Sequence, residues 1–358
     1  MKDIVNYCYI HIPFCKKICT YCDFCKMYYN ENFINKYLEA LDKEIKNYYK
    51  KEKLKTLYIG GGTPSCLNMD ELRKLFKVLK KFELDFNYEF TFECNLNDIT
   101  EELLLFLKEN NVNRLSIGVE SFNEKILKVL GRKYNFDIME KLELVKKYFS
   151  NINIDLIYGV NGESLEDLKE DLDKFIKLDV SHISIYSLIL EDNTILKVNN
   201  YEEIDPDLCR SMYDYICDIL EKEDYIHYEI SNFSKEGFQS KHNLNYWNNG
   251  KYYGFGLGAS GFTKNIRYSN TRGVNKYLKG NFRSEEEIIS EKVDMENFMI
   301  LGLRKIEGVS KQEFYKRYNK KIEDVFNVSK LEESKDYYFI KKDNMYVSNY
   351  ILEDFINI

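Results

Sequence analysis

The chain reads as an α/β protein whose parallel sheet carries helices on its outside. Two observations predict this. Short apolar runs alternate with longer amphipathic stretches about six times between residues 8 and 188, and such alternation requires parallel strands joined by helical crossovers. The unusual motifs also fall where those strands end, which is where ligands sit in open doubly wound sheets and in α/β barrels alike. Both arrangements satisfy these observations.

CYIHI (8–12), TLYIG (56–60), EFTFE (89–93), RLSIGV (114–119), NIDLIYG (153–159) and HISIYSL (182–188) have the length and composition of strands. Residues 33–50, 69–82, 100–109, 123–130, 136–148 and 164–178 show helical periodicity with charged outer positions. Beyond about residue 200 the alternation fades. A helix over 206–222 precedes HYEISNF, and a loop rich in Asn, Gly and aromatic residues follows from 240 to 262. From 284 the sequence is helix-rich and charged, and it ends in KDYYFIKKDNMYVSNY, whose alternation suits a hairpin. Helices followed by a hairpin predict a small winged-helix-like domain. The expected divisions are residues 1–235, 236–283 and 284–358.

With 358 residues the chain can bury a large core, and 44% hydrophobic with 31% charged residues is the balance of a globular protein. No apolar run approaches the ~18–20 residues of a membrane span, and residues 1–10 lack a signal-peptide pattern. The expected location is therefore cytoplasmic, where thiols stay reduced. Nine cysteines, an odd number, argue against a disulfide framework. A net charge of −7 gives no footprint for nucleic acid.

HIPFCKKICTYCDFC (11–25) crowds four cysteines into one segment after the first strand. Cys15, Cys19 and Cys22 are spaced C-x3-C-x2-C and can ligate three irons of a [4Fe–4S] cluster, leaving the fourth iron open. A zinc site would draw a second ligand pair from elsewhere, and no matching C-x2-C pair exists. The spacing also differs from the closed ferredoxin run. A buried cluster of reduced thiols, the alternative, would waste reactive groups on a loop. GGGTPS (60–65) ends the second strand, where Gly60, Gly61 and Gly62 allow close approach and their N–H groups can receive a carboxylate. Glu93, Glu120, Arg132 and Asp155 sit at or just beyond strand ends. Singly, each is read as a surface charge or a buried ion pair; their shared rim raises the case for a ligand site.

YIHIPFCKKICTYCDF resembles the cysteine loop of the radical S-adenosylmethionine (SAM) superfamily, in the group that contains the oxygen-independent coproporphyrinogen III oxidases. The resemblance implies a partial (β/α)6 barrel with a smaller C-terminal helical, winged-helix-like domain. It implies a [4Fe–4S] cluster on Cys15, Cys19 and Cys22, and SAM held by Tyr9, Gly61, Gly62, Thr63, Glu93, Glu120, Arg132 and Asp155. In that group the carboxylates face ribose hydroxyls, Arg132 suits the SAM carboxylate, and Tyr9 lies near the sulfonium. Relatives usually carry glutamine where Glu120 stands, EANP in place of ECNL (93–96), and GLP in place of GVN (159–161). Cys25 matches no required thiol and reads as a spare.

HNLNYW (242–247) is similar to the HNxxYW motif of heme chaperones within this group, and NFMILGLRKIEGV (297–309) resembles their C-terminal segment. The resemblance therefore implies that His242 ligates heme while aromatic faces contact the porphyrin. A histidine satisfied by hydrogen bonds of its own loop is the competing reading. Only fourteen residues precede Cys15, and Phe24 stands where the oxidases carry a further cysteine; both favour the chaperones. The implied role is delivery of heme to apoproteins such as respiratory enzymes, with little or no oxidase activity. The alternative is decarboxylation of two propionates of coproporphyrinogen III; another is a different radical reaction on a tetrapyrrole. Heme-accepting apoproteins and an electron donor are the implied partners, with membrane association only through a client and a dimer as the oligomeric expectation.

Overall fold

Six strands run parallel and side by side in chain order: β1 (Tyr7–Ile12), β2 (Leu54–Gly61), β3 (Leu84–Asn95), β4 (Arg114–Glu120), β5 (Ile152–Tyr158) and β6 (His182–Ser187). The computed structural model describes residues 4–356; the outermost residues of the expected divisions, 1–3 and 357–358, lie outside the described residues. The connections carry α1 (Glu31–Tyr48), α2 (Met69–Leu79), α3 (Glu101–Glu109), α4 (Glu124–Val129), α5 (Ile138–Lys146) and α6 (Leu165–Lys177). Side-chain caps set where these helices begin. Asn68 and Glu71 form a reciprocal capping box at α2, and Ser164 and Asp167 do the same at α6.

Sequential strand order excludes the doubly wound arrangement, in which the order reverses at a switch point. The sheet also curls. β2 and β6 are four strands apart, about 19 Å across a flat sheet at ~4.8 Å per strand. Yet Tyr58 of β2 and Tyr186 of β6 line one cavity of 330 Å³. The fold is thus a partial (β/α)6 barrel. Ile10, Leu57, Ile59, Phe90, Phe92, Leu115, Ile117 and Ile154 pack outward against the helices in the main core.

Further strands widen the sheet. After α7 (Pro206–Lys222), β7 (Ile226–Glu229) and β8 (Asn232–Ser234) form an antiparallel hairpin beside β6. The stretch 240–262, expected to be a loop, instead contains α8 (Lys241–Trp247) and β9 (Tyr253–Phe255), which pairs in parallel with β1. Its Gly residues mark close approach: a Cβ on Gly254 would lie 1.8 Å from the Ser260 carbonyl oxygen. β10 (Ser260–Thr263), β11 (Ile266–Asn270) and β12 (Arg283–Ile288) form a three-stranded antiparallel sheet.

Two expectations for the C-terminal part need correction. SEEEII, expected as helix, lies largely in β12, because pairing with β11 satisfies its backbone; the expected junction at 283/284 therefore falls inside a strand. Then come α9 (Glu291–Gly302) and α10 (Lys311–Tyr318), with a small sheet of β13 (Val309–Ser310), β14 (Glu332–Glu333) and β15 (Tyr337–Phe339). The hairpin lies at 332–339, and residues 342–355 are helical turns, not a returning strand. Met345, Leu352 and Phe355 recur at helical spacing and are buried in a second core with Phe298, Met299 and Phe314.

Candidate functional site

A short parallel pairing of Phe14–Cys15 with Met27–Tyr28 closes the stem of the cysteine loop. Its far side is tied down where Thr20 Oγ1 donates to the Val129 carbonyl at 2.6 Å. Between these anchors Cys15, Cys19 and Cys22 line the same cavity at the C-terminal ends of the strands. Thr63 Oγ1 lies 3.5 Å from Cys15 Sγ. Burial pushes the Cys15 thiol up to about 11 and raises Cys19 and Cys22, so these groups are neutral unless a metal takes their protons. Among the described residues no three Cys, His, Asp or Glu side chains converge tightly enough for a single metal ion. Three thiols spread over one wall fit a cluster, whose irons are separate points, better than they fit zinc. Cys25 does not line the cavity: a Cβ on Gly258 would lie 2.7 Å from its Sγ, so the thiol packs against that glycine.

The three glycines are shaped by their neighbours. A Cβ on Gly60 would meet the Glu93 carboxylate at 2.6 Å, and one on Gly62 the Phe14 carbonyl at 2.8 Å. Gly61 has φ +118°, a conformation that favours glycine. Gly61, Gly62 and Thr63 line the cavity as expected, but their amides are not free donors. Gly61 N donates to Glu93 Oε2 at 3.0 Å, Gly62 N to the Ile12 carbonyl and Thr63 N to the Phe14 carbonyl, both at 2.8 Å. In the protein itself the Gly61 N–H is taken by the Glu93 carboxylate and the other two by main-chain carbonyls, so all three hold the rim together.

Glu93, Glu120, Arg132 and Asp155 all line this cavity. Glu93 also accepts from Tyr58 Oη at 2.7 Å, and burial raises its carboxyl above the usual range. Glu120, at φ +71°, accepts from Tyr21 Oη at 2.9 Å and from Arg132 Nη2 at 2.5 Å. Gly118 makes room for this pair, since a Cβ there would lie 2.7 Å from Glu120 Oε1. Arg132 thus donates to Glu120 and Tyr21 through Nη2, while its buried Nε has no hydrogen-bond partner. Asp155 accepts from Asn153 Nδ2 at 2.8 Å, and burial together with the nearby Glu120 charge pushes it up to about 7.

Tyr9 is not part of the lining. It stands behind Tyr58, ring centroids 5.9 Å apart, with Oη 2.9 Å from His11 Nδ1. His242 is not in the cavity either. It is 1% exposed on α8, with Nδ1 2.6 Å from Thr56 Oγ1 and Nε2 2.8 Å from Tyr246 Oη. Burial lowers it to about 3, so the ring is neutral and both nitrogens are engaged. The reading of His242 as a presented heme ligand is corrected: here it braces α8 against β2. Glu89 fixes the same helix by accepting from the Lys241 and His242 amides.

Sequence reasoning missed Tyr58, Arg114, Ser116, Asn153 and Ser184, all of which line the cavity. The signal was alternation. TLYIG, RLSIGV, NIDLI and HISIYS place a polar residue at every second position. Parallel strands covered on both faces are usually apolar throughout. One polar face therefore means strands that surround a polar lumen.

Comparison with known proteins accords with this geometry. A "Radical SAM superfamily" profile matches residues 9–175, and a "HemN C-terminal domain" profile matches residues 289–344. A heme chaperone HemW of Lactococcus lactis is 42% identical over 90% of this chain and 87% of its own length. The chain belongs to the HemW family. The Bacillus subtilis HemW is 38% identical over 89% of the chain and 88% of its own length, and the Escherichia coli HemW 30% over 97% of each. The fold is also that of the E. coli coproporphyrinogen III oxidase HemN, a radical SAM enzyme, with a TM-score of 0.86 over 99% of this chain and 91% of that one at 19% identity. Among the described residues no helix is long and apolar enough to cross a membrane.

Proposed function

We propose that this HemW-family chain binds a [4Fe–4S] cluster and SAM at the barrel mouth and carries heme to apoproteins such as respiratory enzymes. The observation that carries the first part is the placement of Cys15, Cys19 and Cys22 on the wall of a polar cavity that Glu93, Glu120, Asp155 and Arg132 also line. The cysteines would hold three irons; when bound, the cluster supplies a single electron for the sulfonium of SAM. Glu93 and Asp155 would meet the ribose hydroxyls, and the cationic end of SAM suits a cavity with three carboxylates. Thr63 orients Cys15, and the Glu120–Arg132–Tyr21 network fixes the rim.

The naming of the relatives as heme chaperones supports the second part. Heme would sit near HNLNYW, on aromatic faces such as Tyr246 and Tyr252; those two rings, 4.6 Å apart, border a second cavity that Arg267 also lines. His242 shapes this region from beneath by its bond to Tyr246. An electron donor and heme-accepting apoproteins are the partners of this reading, and any membrane association comes through the client. Anaerobic reconstitution with iron and sulfide, followed by SAM and heme titration, tests it. Four irons per chain and saturable binding of both ligands are expected; a chain that takes up iron yet binds neither ligand refutes the assignment.

A further inference from the structure

The cavity beside HNLNYW has room for a cofactor but offers no histidine to a metal. Its volume of 680 Å³ lies within the range of small-molecule sites. Tyr246, Phe262 and Tyr268 give it flat apolar surface. Among the described residues no histidine, cysteine or methionine lines it, and His242 stands outside with both ring nitrogens engaged. A side chain that ligates an iron in this cavity therefore does so through oxygen.

The ionisable oxygens of the lining differ in what already occupies them. Tyr246 Oη lies 2.8 Å from His242 Nε2, and the buried Tyr268 Oη receives the Gly254 amide at 3.0 Å. Glu285, Glu286 and Glu287 are exposed along β12, an outer strand of its sheet. Tyr252 is half-buried, and its hydroxyl makes no hydrogen bond among the described residues. Its main chain is fixed, since Tyr252 N donates to the Phe262 carbonyl at 2.8 Å and Phe262 N to the Tyr252 carbonyl at 2.9 Å. Arg267, stacked 5.0 Å from the centroid of the Phe262 ring, lines the same cavity. Its charge opposes the rise that burial gives the Tyr252 phenol, and so favours an anionic oxygen there.

We propose that Tyr252 ligates the iron of heme in this cavity through its phenolate oxygen. The inference rests on the proposed function, which places heme here, and names the atom that holds the iron. On binding, Tyr252 Oη gives its proton to water and forms the bond to iron, which is ferric before and after. Ferric iron suits an anionic oxygen donor, and tyrosine is an axial ligand in other heme proteins.

The test titrates the cluster-reconstituted chain with ferric heme, unaltered and as Tyr252→Phe and Tyr252→His. Resonance Raman spectra report whether a phenolate is bound to the iron, and melting is followed without heme. The unaltered chain should show phenolate modes. Tyr252→Phe should lose them and bind ferric heme about tenfold or more weakly. It should melt with the unaltered chain, because the hydroxyl it removes has no hydrogen-bond partner in the protein. Tyr252→His should recover affinity with the spectrum of an imidazole ligand. Saturable heme binding by the unaltered chain without phenolate modes overturns the inference alone, and that result needs no variant to fold. Phenolate modes that persist in Tyr252→Phe overturn it as well. An unaltered chain that binds no heme overturns the heme part of the proposed function and this inference together.

Discussion

Arg132 Nη2 lies 2.5 Å from Glu120 Oε1, with the two side chains 11% and 5% exposed, at the edge of the cysteine-lined cavity. Tyr21, between the first and last cysteines of the C-x3-C-x2-C run, joins the pair by donating to Glu120 and accepting from Arg132. The network ties β4, the segment after α4 and the cysteine loop into one unit. Removing one partner from a buried pair leaves the other uncompensated and typically costs about 3–5 kcal/mol. Glu120→Ala should destabilise the ligand-free chain by that order in denaturant unfolding. A change below about 1 kcal/mol, the scale of an exposed pair, would contradict the network.

Asp155 supplies a pH signature. Burial raises its folded pKa to about 7, above its ordinary value, so the penalty is absent below about pH 4 and complete above pH 7. Asp155→Asn removes the charge but keeps an oxygen to accept from Asn153. The variant should match the unaltered chain near pH 4 and exceed its stability by on the order of 2–4 kcal/mol at pH 8. A difference that stays constant with pH would mean that Asp155 is ionised without penalty.

The cysteine loop separates ligands from a bystander. Cys19→Ser should lose the cluster, read as iron and sulfide per chain, whereas Cys25→Ser should retain it, because Cys25 packs against Gly258 away from the cavity. Equal losses in both variants would put Cys25 among the ligands.

His242 is expected to act as a brace. His242→Ala leaves Thr56 Oγ1 and Tyr246 Oη without their partner and opens a cavity, so unfolding without heme should be easier by about 2–4 kcal/mol. Unchanged stability in the absence of heme, with heme binding abolished, would restore His242 as a presented ligand.

Much of the barrel was legible in the sequence, because each strand is a short run with strong period and each helix carries charged outer positions. The helix Pro206–Lys222 was readable for the same reason, with Asp205 capping and Pro206 in its first turn. The stretch from Lys241 to Phe255 was misread because its Asn and Gly residues mark turns locally, whereas pairing of Tyr253–Phe255 with β1 decides its structure. β12 failed for a related reason: three consecutive glutamates favour helix, but cross-strand pairing with Arg267–Ser269 holds them extended. At the site, residue types were legible and their partners were not. Nothing local in LGRKY shows that Arg132 is already paired with Glu120.

The proposed function has this chain carry heme rather than remake its precursor. The direct test is to load the cluster-reconstituted chain with heme, add SAM, a reductant and an apo-cytochrome, and follow heme transfer by absorbance. A parallel sample receives coproporphyrinogen III instead of heme. The prediction is transfer of heme to the acceptor, with coproporphyrinogen III recovered intact. Retention of heme by the chain, with catalytic conversion of coproporphyrinogen III to a vinyl-bearing product, would contradict it.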